Sequence, residues 1–177
     1  MARKRKRTKR TERKRDWQKR KVYRLGWDLP HGIEYTSNEQ ATQDLNRMWS
    51  ELADLLEVRP LLSAVPALVE PAPQRKSVSI YSPSKHHIVC AVGMLYQRKL
   101  IHELCHGLNT WWDGHYRRTY GASHGYRYTA IYIFALAVYM FNGDFAKVEE
   151  LAIEKGCKWC ADTLQRLKAK RIDQLSC

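Results

Sequence analysis

His102-Glu103-Leu104-Cys105-His106 lies in the middle of a segment whose apolar residues follow a helical period. These residues recur at spacings of one, three and four, and they are Leu100, Ile101, Leu104, Cys105 and Leu108. On a helix, side chains four residues apart lie about 40° apart around the axis, so His102 and His106 can bind one metal ion together. Glu103 lies about 100° further round, where its carboxylate can reach a water bound to that ion. The segment therefore predicts a helix with one packed face and one metal-binding face.

The spacing of these residues is the H-E-x-x-H pattern of zinc metallopeptidases. In that pattern the two histidines bind Zn²⁺ and the glutamate is the general base. The alternative is a helix with two hydrogen-bonded histidines and no metal. A catalytic zinc also needs a third protein ligand, and it keeps a fourth position open for water. We therefore predict a Zn²⁺ site that is completed by a residue outside this helix.

The third ligand is predicted from the chain that follows the helix. A longer form of the pattern would require Gly at position 109 and His at position 112, but the chain has Asn109 and Trp112. His124 directly precedes a second apolar segment, and a histidine in the first turn of a helix packed across the first one can reach its metal-binding face. We therefore favour His124 as the third ligand. The alternatives are His115, Glu149, Glu150 and Glu154.

A second motif begins at His124, which is followed by Gly125 and then by Tyr128. Together the two motifs resemble those of the SprT-like zincins and the small phage-encoded zincins related to them, in which H-E-x-x-H is followed by H-G-x-x-F or a similar aromatic. The resemblance covers about residues 77–141. It implies a zincin-like fold in which the three histidines bind zinc and the glutamate is the base, and some relatives act on proteins bound to DNA. The chain departs from the family in having Tyr128 rather than Phe and in lacking the paired-cysteine zinc ribbon of many SprT-like proteins.

Residues 1–24 carry nearly all of the formal net charge of +13. They contain fourteen of the 31 Lys and Arg and two acidic residues, Glu12 and Asp16, so their own charge is +12. Such a block repels itself and cannot bury a core. We therefore predict a disordered basic arm over residues 1–24 and one folded domain over residues 25–177.

The predicted partner of this arm is nucleic acid, because Lys and Arg contact phosphates without reading the base sequence. The residues predicted to bind it are Arg3, Lys4, Arg5, Lys6, Arg7, Lys9, Arg10, Arg13, Lys14, Arg15, Lys19, Arg20 and Lys21. Trp17 offers a ring on which an unpaired base can stack, and the equal alternative is that this ring docks onto the protein's own domain. The alternative for the whole segment is a solubilising or targeting tail.

The rest of the chain predicts a small α+β domain that is mostly helical, with a short β-sheet beside the metal-binding helix. Ser37 is expected to cap a helix that ends near Val58. Short strands are expected over residues 77–81 and 87–92, and a buried helix over residues 130–141. An irregular crossing is expected around four prolines, Pro60, Pro66, Pro71 and Pro73.

The composition favours a cytoplasmic protein and leaves open an association with the nucleoid or with a virion. The five cysteines form no disulfide framework, which is typical of a reducing compartment. The basic N-terminal segment lacks the apolar stretch of a secretory signal, and the apolar run over residues 130–141 is too short to span a membrane. Cys157 and Cys160 have the spacing C-x-x-C, which we interpret as structural thiols because no second pair accompanies them.

The pattern as a whole predicts a zinc-dependent peptidase of the zincin type that acts on a protein or peptide substrate near nucleic acid. The candidates for stabilising the oxyanion are Tyr126, Tyr128, His115 and Tyr120. The competing hypothesis is a nucleic-acid-binding or virion-associated protein whose zinc site is structural or vestigial. Glu103 favours the enzyme, because a purely structural zinc site does not need a base.

Overall fold

Six α-helices and a three-stranded β-sheet make up the described part of the computed structural model. The structure describes residues 16–56, 65–69, 79–83, 85–90, 95–111 and 124–175. The helices are α1 (Lys19–Trp27), α2 (Asn38–Leu55), α3 (Gln97–Trp111), α4 (Tyr126–Met140), α5 (Phe145–Glu154) and α6 (Ala161–Leu175). The strands are β1 (Ala67–Val69), β2 (Ile80–Ser82) and β3 (His87–Val89). A mostly helical α+β chain with a small sheet is therefore confirmed.

Helix α4 forms the centre of the core. Every residue from 128 to 137 is buried, because the helix is apolar around its whole circumference and is enclosed on all sides. It packs against α3, α5 and α6. The predicted buried helix is confirmed, and it begins four residues earlier than the apolar run indicated.

Helix α2 begins where the sequence predicted. The hydroxyl of Ser37 accepts a hydrogen bond from the backbone N–H of Gln40 at 3.2 Å, which caps the first turn. The helix buries a stripe of residues at helical spacing, namely Ala41, Leu45, Met48, Trp49 and Leu52. Helix α2 packs against α3, so it supports the helix that carries the H-E-x-x-H motif.

The sheet has the strand order β1-β3-β2, with β1 parallel to β3 and β2 antiparallel to it. The two predicted strands correspond to β2, which extends one residue beyond the predicted end, and to β3. Residues 77, 78, 91 and 92 of the predicted strands lie outside the described residues. The sequence did not predict β1, which lies in the proline-marked crossing directly after Pro66. A proline is tolerated at the start of an edge strand, because its missing N–H is not needed there. Strand β2 packs against α3, so the predicted sheet lies beside the helix that carries the H-E-x-x-H motif.

The predicted boundary of the basic arm at residue 24 is wrong. Residues 16–24 belong to the folded domain, and most of them lie in α1. Val22 and Leu25 on this helix are 0% and 1% exposed. The charged side chains of Lys19 and Arg20 are exposed on the other face, so α1 is an amphipathic helix rather than part of a free arm. The predicted nucleic-acid contacts of residues 3–15 lie outside the described residues.

Helix α5 begins and ends at residues that favour helix termini. Asp144 caps α5 by accepting a hydrogen bond from the backbone N–H of Lys147 at 3.0 Å, and Gly156 takes a positive φ of 67° after that helix. Cys157 is buried and has a free thiol. Burial raises its pKa to about 11, so the thiol stays protonated at neutral pH, as a structural role requires. None of the helices in the described ranges combines the length and the apolar character that a membrane crossing requires.

Candidate metal centre

Three histidines, two on helix α3 and one in the turn before α4, lie close together. Helix α3 presents His102 and His106 one turn apart, and His124 lies just before the start of α4. One nitrogen from each ring lies within 4.8 Å of the others. The Nε2 atoms of His102 and His124 are 3.3 Å apart. Zinc–nitrogen bonds of about 2.0–2.1 Å at tetrahedral angles separate two ligand nitrogens by about 3.3–3.4 Å, so this pair fits one ion.

Tyr128 fastens α4 to the helix that carries two of these histidines. Its hydroxyl donates a hydrogen bond to the backbone carbonyl of His102 at 3.1 Å. Its ring stacks on His106, with ring centroids 4.5 Å apart. Because Tyr128 lies one helical turn after His124, this contact also fixes where His124 approaches the other two rings.

The environment keeps the three imidazoles neutral. Burial lowers the pKa of His102 and of His106 well below the usual range, and the charge that protonated neighbouring histidines would carry lowers both further. Burial also lowers the pKa of His124, although Asp16 opposes that shift. The neutral ring is the form that binds metal, so the cluster is ready for an ion at neutral pH.

Asp16 orients His124. One carboxylate oxygen of Asp16, Oδ2, lies 2.7 Å from Nδ1 of His124 and accepts a second hydrogen bond from its backbone N–H at 3.1 Å. An ionised carboxylate can only accept, so Nδ1 carries the proton and Nε2 keeps its lone pair. That lone pair is on the nitrogen that faces His102. A carboxylate in this position fixes both the tautomer and the ring orientation of a metal-binding histidine.

Gln18 holds the chain around His124 in place through three hydrogen bonds. Its side chain is fully buried, and its amide nitrogen donates to the carbonyl of His124 at 3.3 Å and to the hydroxyl of Thr129 at 3.4 Å. Its amide oxygen accepts a hydrogen bond from the backbone N–H of Lys158 at 2.7 Å. The two residues Asp16 and Gln18 therefore tie the N-terminal segment to the turn that positions the third histidine.

Glu103 lies buried beside the cluster, with an exposure of 2%. Its Oε2 accepts a hydrogen bond from the backbone N–H of Tyr81 in β2 at 2.9 Å. Its Oε1 is buried and makes no hydrogen bond within the described ranges, and the ammonium of Lys99 lies 3.5 Å away. Burial raises the pKa of Glu103 to about 7, and Lys99 and the Tyr81 N–H oppose that shift. The free lone pair on Oε1 is what a general base requires.

A cavity of about 270 Å³ connects these groups to the surface. It is lined by residues of α1, β2 and α3, and by His124. Glu103, His106 and His124 all contribute to its wall. The proposed base and two of the three histidines therefore face one space that a substrate can enter.

The structure places the three glutamates considered as third ligand away from the two histidines of α3. Glu149 forms an ion pair with Lys168, and Glu154 forms one with Lys155. Neither of these, nor Glu150, joins a metal-binding group in the described part of the chain, where the three-histidine cluster is found. His124 is therefore the residue that the fold brings to His102 and His106, while His115 lies outside the described residues.

The oxyanion candidates have different surroundings. Tyr126 is 48% exposed and does not line the cavity. Tyr128 is fully buried, and its hydroxyl is already bonded to a backbone carbonyl. The geometry therefore favours neither of them as a donor to a substrate. His115 and Tyr120 lie outside the described residues.

Sequence reasoning missed the contribution of the N-terminal segment, because Asp16, Gln18 and Tyr23 were assigned to the arm. Tyr23 lies on α1 and lines the cavity. A signal for this helix was available, since Val22, Leu25 and Leu29 recur at spacings of three and four. The high positive charge of the surrounding residues obscured it.

Comparison with protein-family models, with curated proteins and with solved structures finds no match to this chain. The resemblance to SprT-like zincins therefore rests on the residues of its two motifs. The arrangement of the three histidines around one point is the independent structural observation that accompanies them.

Proposed function

We propose that this chain is a zinc-dependent peptidase of the zincin type, in which His102, His106 and His124 hold Zn²⁺ and Glu103 is the general base. The observation that carries this proposal is the buried Oε1 of Glu103, which makes no hydrogen bond within the described ranges, has the Lys99 ammonium 3.5 Å away, and shares one cavity with two of the three clustered imidazoles. A base without a hydrogen-bond donor is costly to bury, and it is expected where a reaction uses it.

The donor set supports zinc among the possible ions. Neutral imidazole nitrogens suit Zn²⁺, and the pair from His102 and His124 lies at the separation of two tetrahedral ligands. A structural zinc site usually has four protein ligands, whereas three are brought together within the described ranges. When bound at such a site, zinc supplies Lewis acidity, which polarises a carbonyl and lowers the pKa of a coordinated water to about 7.

The residues of the chain supply the proton transfers. In the proposed reaction, Oε1 of Glu103 accepts a proton from the attacking water and passes it to the leaving amine. The Tyr81 N–H holds the other oxygen, so Oε1 keeps one orientation. The ammonium of Lys99 favours the ionised carboxylate and so opposes the rise in pKa that burial causes, which leaves the pKa of Glu103 at about 7, a value suited to a base that both accepts and returns a proton near neutral pH.

The proposed substrate is a protein held near nucleic acid. Residues 1–15 contain ten basic residues and one acidic residue, Glu12, so their formal charge is +9. Lys19 and Arg20 continue the basic character on the exposed face of α1, and Lys19 lines the cavity itself. We propose that residues 1–15 contact the phosphates of a nucleic acid and thereby bring proteins bound to the same nucleic acid within reach of the site.

Substitution of Glu103 by glutamine tests catalysis separately from metal binding. Glutamine keeps the size of the side chain and an oxygen that can accept the Tyr81 N–H, so one zinc per chain should remain. Turnover should fall by about 10²- to 10⁴-fold, the usual contribution of general acid–base catalysis. Zinc content and cleavage of protein substrates, with and without DNA, are measured for wild type and variant.

Two further variants complete this experiment, one that removes a proposed zinc ligand and one matched control outside the cluster. His124→Ala should lose both zinc and cleavage, whereas Glu150→Ala, on α5 and outside the cluster, should keep both. If Glu103→Gln cleaves as fast as the wild type, Glu103 is not the base. If the wild type binds zinc through His124 but cleaves no protein, the competing hypothesis of a nucleic-acid-binding protein with a structural zinc site is favoured.

A further inference from the structure

Tyr23 lies next to the histidine cluster, although in the sequence it belongs to the basic N-terminal segment. Its ring centroid is 5.0 Å from that of His102 and 5.3 Å from that of His124. The side chain lines the same cavity as Glu103 and His106. A tyrosine on α1 therefore faces the site where the proposed reaction takes place.

The hydroxyl of Tyr23 makes no hydrogen bond to any residue that the structure describes, although its ring has several neighbours. Two other tyrosines near the cluster differ in this respect. Tyr128 donates to the carbonyl of His102, and Tyr81 accepts from the indole of Trp111. The Tyr23 hydroxyl is thus available as a donor inside a cavity lined by catalytic candidates.

The ring is held in a fixed position. Val22 and Leu25 flank Tyr23 in the sequence and are buried in the core, so α1 cannot turn the ring away without exposing them. The ammonium groups of Lys19 and Lys99 each lie 5.8 Å from the ring centroid. Their positive charge lies beside the ring, and burial together with the charges of Glu103 and Asp16 raises the pKa of Tyr23, so the phenol keeps its proton and can donate it in a hydrogen bond.

We propose that Tyr23 is a catalytic residue whose phenol donates a hydrogen bond to the oxygen of the scissile carbonyl as that oxygen becomes negative. This inference rests on the proposed peptidase function. The oxygen of water bonds to the carbonyl carbon, the electron pair of the C=O bond moves to the carbonyl oxygen, and Glu103 takes the proton of the water. When the electron pair returns, the C–N bond breaks and the amine leaves with the proton from Glu103. Tyr23 keeps its own proton throughout.

The test replaces Tyr23 with phenylalanine, which removes one oxygen and no hydrogen bond seen in the structure. Zinc content and thermal stability should therefore match the wild type. For cleavage of a protein substrate, kcat should fall by about 10²- to 10³-fold with little change in KM, since the donor acts on the transition state. The matched control is Tyr126→Phe, which removes a hydroxyl outside the cavity and should leave kcat unchanged.

A second measurement does not depend on turnover. Acetohydroxamate is titrated into the Co²⁺-substituted protein, and the cobalt absorption spectrum reports binding of its oxyanion. Tyr23→Phe should weaken binding by roughly 10- to 100-fold, as expected for loss of a hydrogen bond to a charged group. Tyr126→Phe should not weaken it.

The two measurements separate the two proposals. If the wild type cleaves and Tyr23→Phe retains its kcat, the inference about Tyr23 is overturned while the peptidase stands. If the wild type cleaves no substrate, the peptidase fails, and the hydroxamate titration still decides whether Tyr23 donates to an oxyanion at this site. Equal hydroxamate affinities in wild type and Tyr23→Phe overturn the inference in either case.

Discussion

Replacing Asp16 with alanine should weaken zinc binding without unfolding the protein. The carboxylate accepts two hydrogen bonds from His124, one from Nδ1 at 2.7 Å and one from the backbone N–H at 3.1 Å. Without them, the imidazole loses the contact that holds its orientation and keeps the proton on Nδ1. Both changes oppose metal binding, because Nε2 must keep its lone pair and direct it at the ion.

The size of the effect follows from these contacts. Loss of a group that orients a metal-binding histidine weakens metal affinity by about 10- to 100-fold, which corresponds to about 1.4–2.8 kcal/mol. His124 is only 2% exposed, so water does not readily replace the missing acceptor. We therefore expect roughly 30- to 100-fold weaker binding for Asp16→Ala. Asp16→Asn should have a smaller effect, because its amide oxygen can still accept from Nδ1.

Competition with a chromophoric chelator measures the zinc affinity, and thermal unfolding of the metal-free proteins measures stability. Asp144→Ala is the matched control. Asp16 accepts a hydrogen bond from the backbone N–H of Lys19 at 3.1 Å, and Asp144 accepts the equivalent bond from Lys147 at 3.0 Å. Each variant should lose about 1 kcal/mol of stability with its capping bond, and Asp16→Ala should lose about 1–3 kcal/mol more because it leaves the buried N–H groups of His124 without an acceptor. Only Asp16→Ala should lose zinc affinity. Wild-type zinc affinity in Asp16→Ala would refute the orienting role.

Two further predictions concern the metal and the arm. Removal of zinc with a chelator should leave the protein folded but lower its unfolding temperature. At a free zinc concentration one hundred times Kd, the bound ion adds about 2.7 kcal/mol, or roughly 5–10 °C for a chain of this size, and identical melting curves with and without zinc would contradict the site. Deletion of residues 1–15 should preserve folding and zinc content but abolish tight DNA binding. Binding by the intact protein should weaken by about 10³- to 10⁵-fold between 50 and 200 mM salt if about 6–10 phosphates are contacted. Deletion of residues 1–24 should also reduce zinc content, because it removes Asp16 and Gln18, and equal DNA affinity of intact and shortened proteins would place the nucleic-acid contacts on the folded domain.

The features that could be predicted from the sequence depend on neighbouring residues. Ser37 caps α2 through a bond to a residue three positions later, and the apolar run after Thr129 has too few polar residues to lie anywhere but in the core. The H-E-x-x-H spacing places its two histidines on one helical face by geometry alone. His124 could be favoured as the third ligand because it directly precedes α4, which was predicted to pack across α3.

The features that could not be predicted depend on distant partners. Strand β1 has three residues, and its hydrogen bonds are made to β3, about twenty positions further along the chain. Asp16 acquires its role from a contact with His124, 108 positions away. Helix α1 was hidden because its buried residues, Val22 and Leu25, are outnumbered by basic residues that occupy its exposed face.

The contact between Asp16 and His124 also limits the distance between the proposed active site and a nucleic acid bound by residues 1–15. Asp16 is held against His124 by these hydrogen bonds, and residue 15 is its immediate neighbour in the chain. Fifteen residues span at most about 50 Å when fully extended, at about 3.3–3.6 Å per residue. A phosphate bound anywhere along residues 1–15 therefore lies within that distance of the histidines. If the proposed enzyme acts in this way, proteins attached to the nucleic acid inside this radius gain a raised local concentration at the site, whereas proteins free in solution do not.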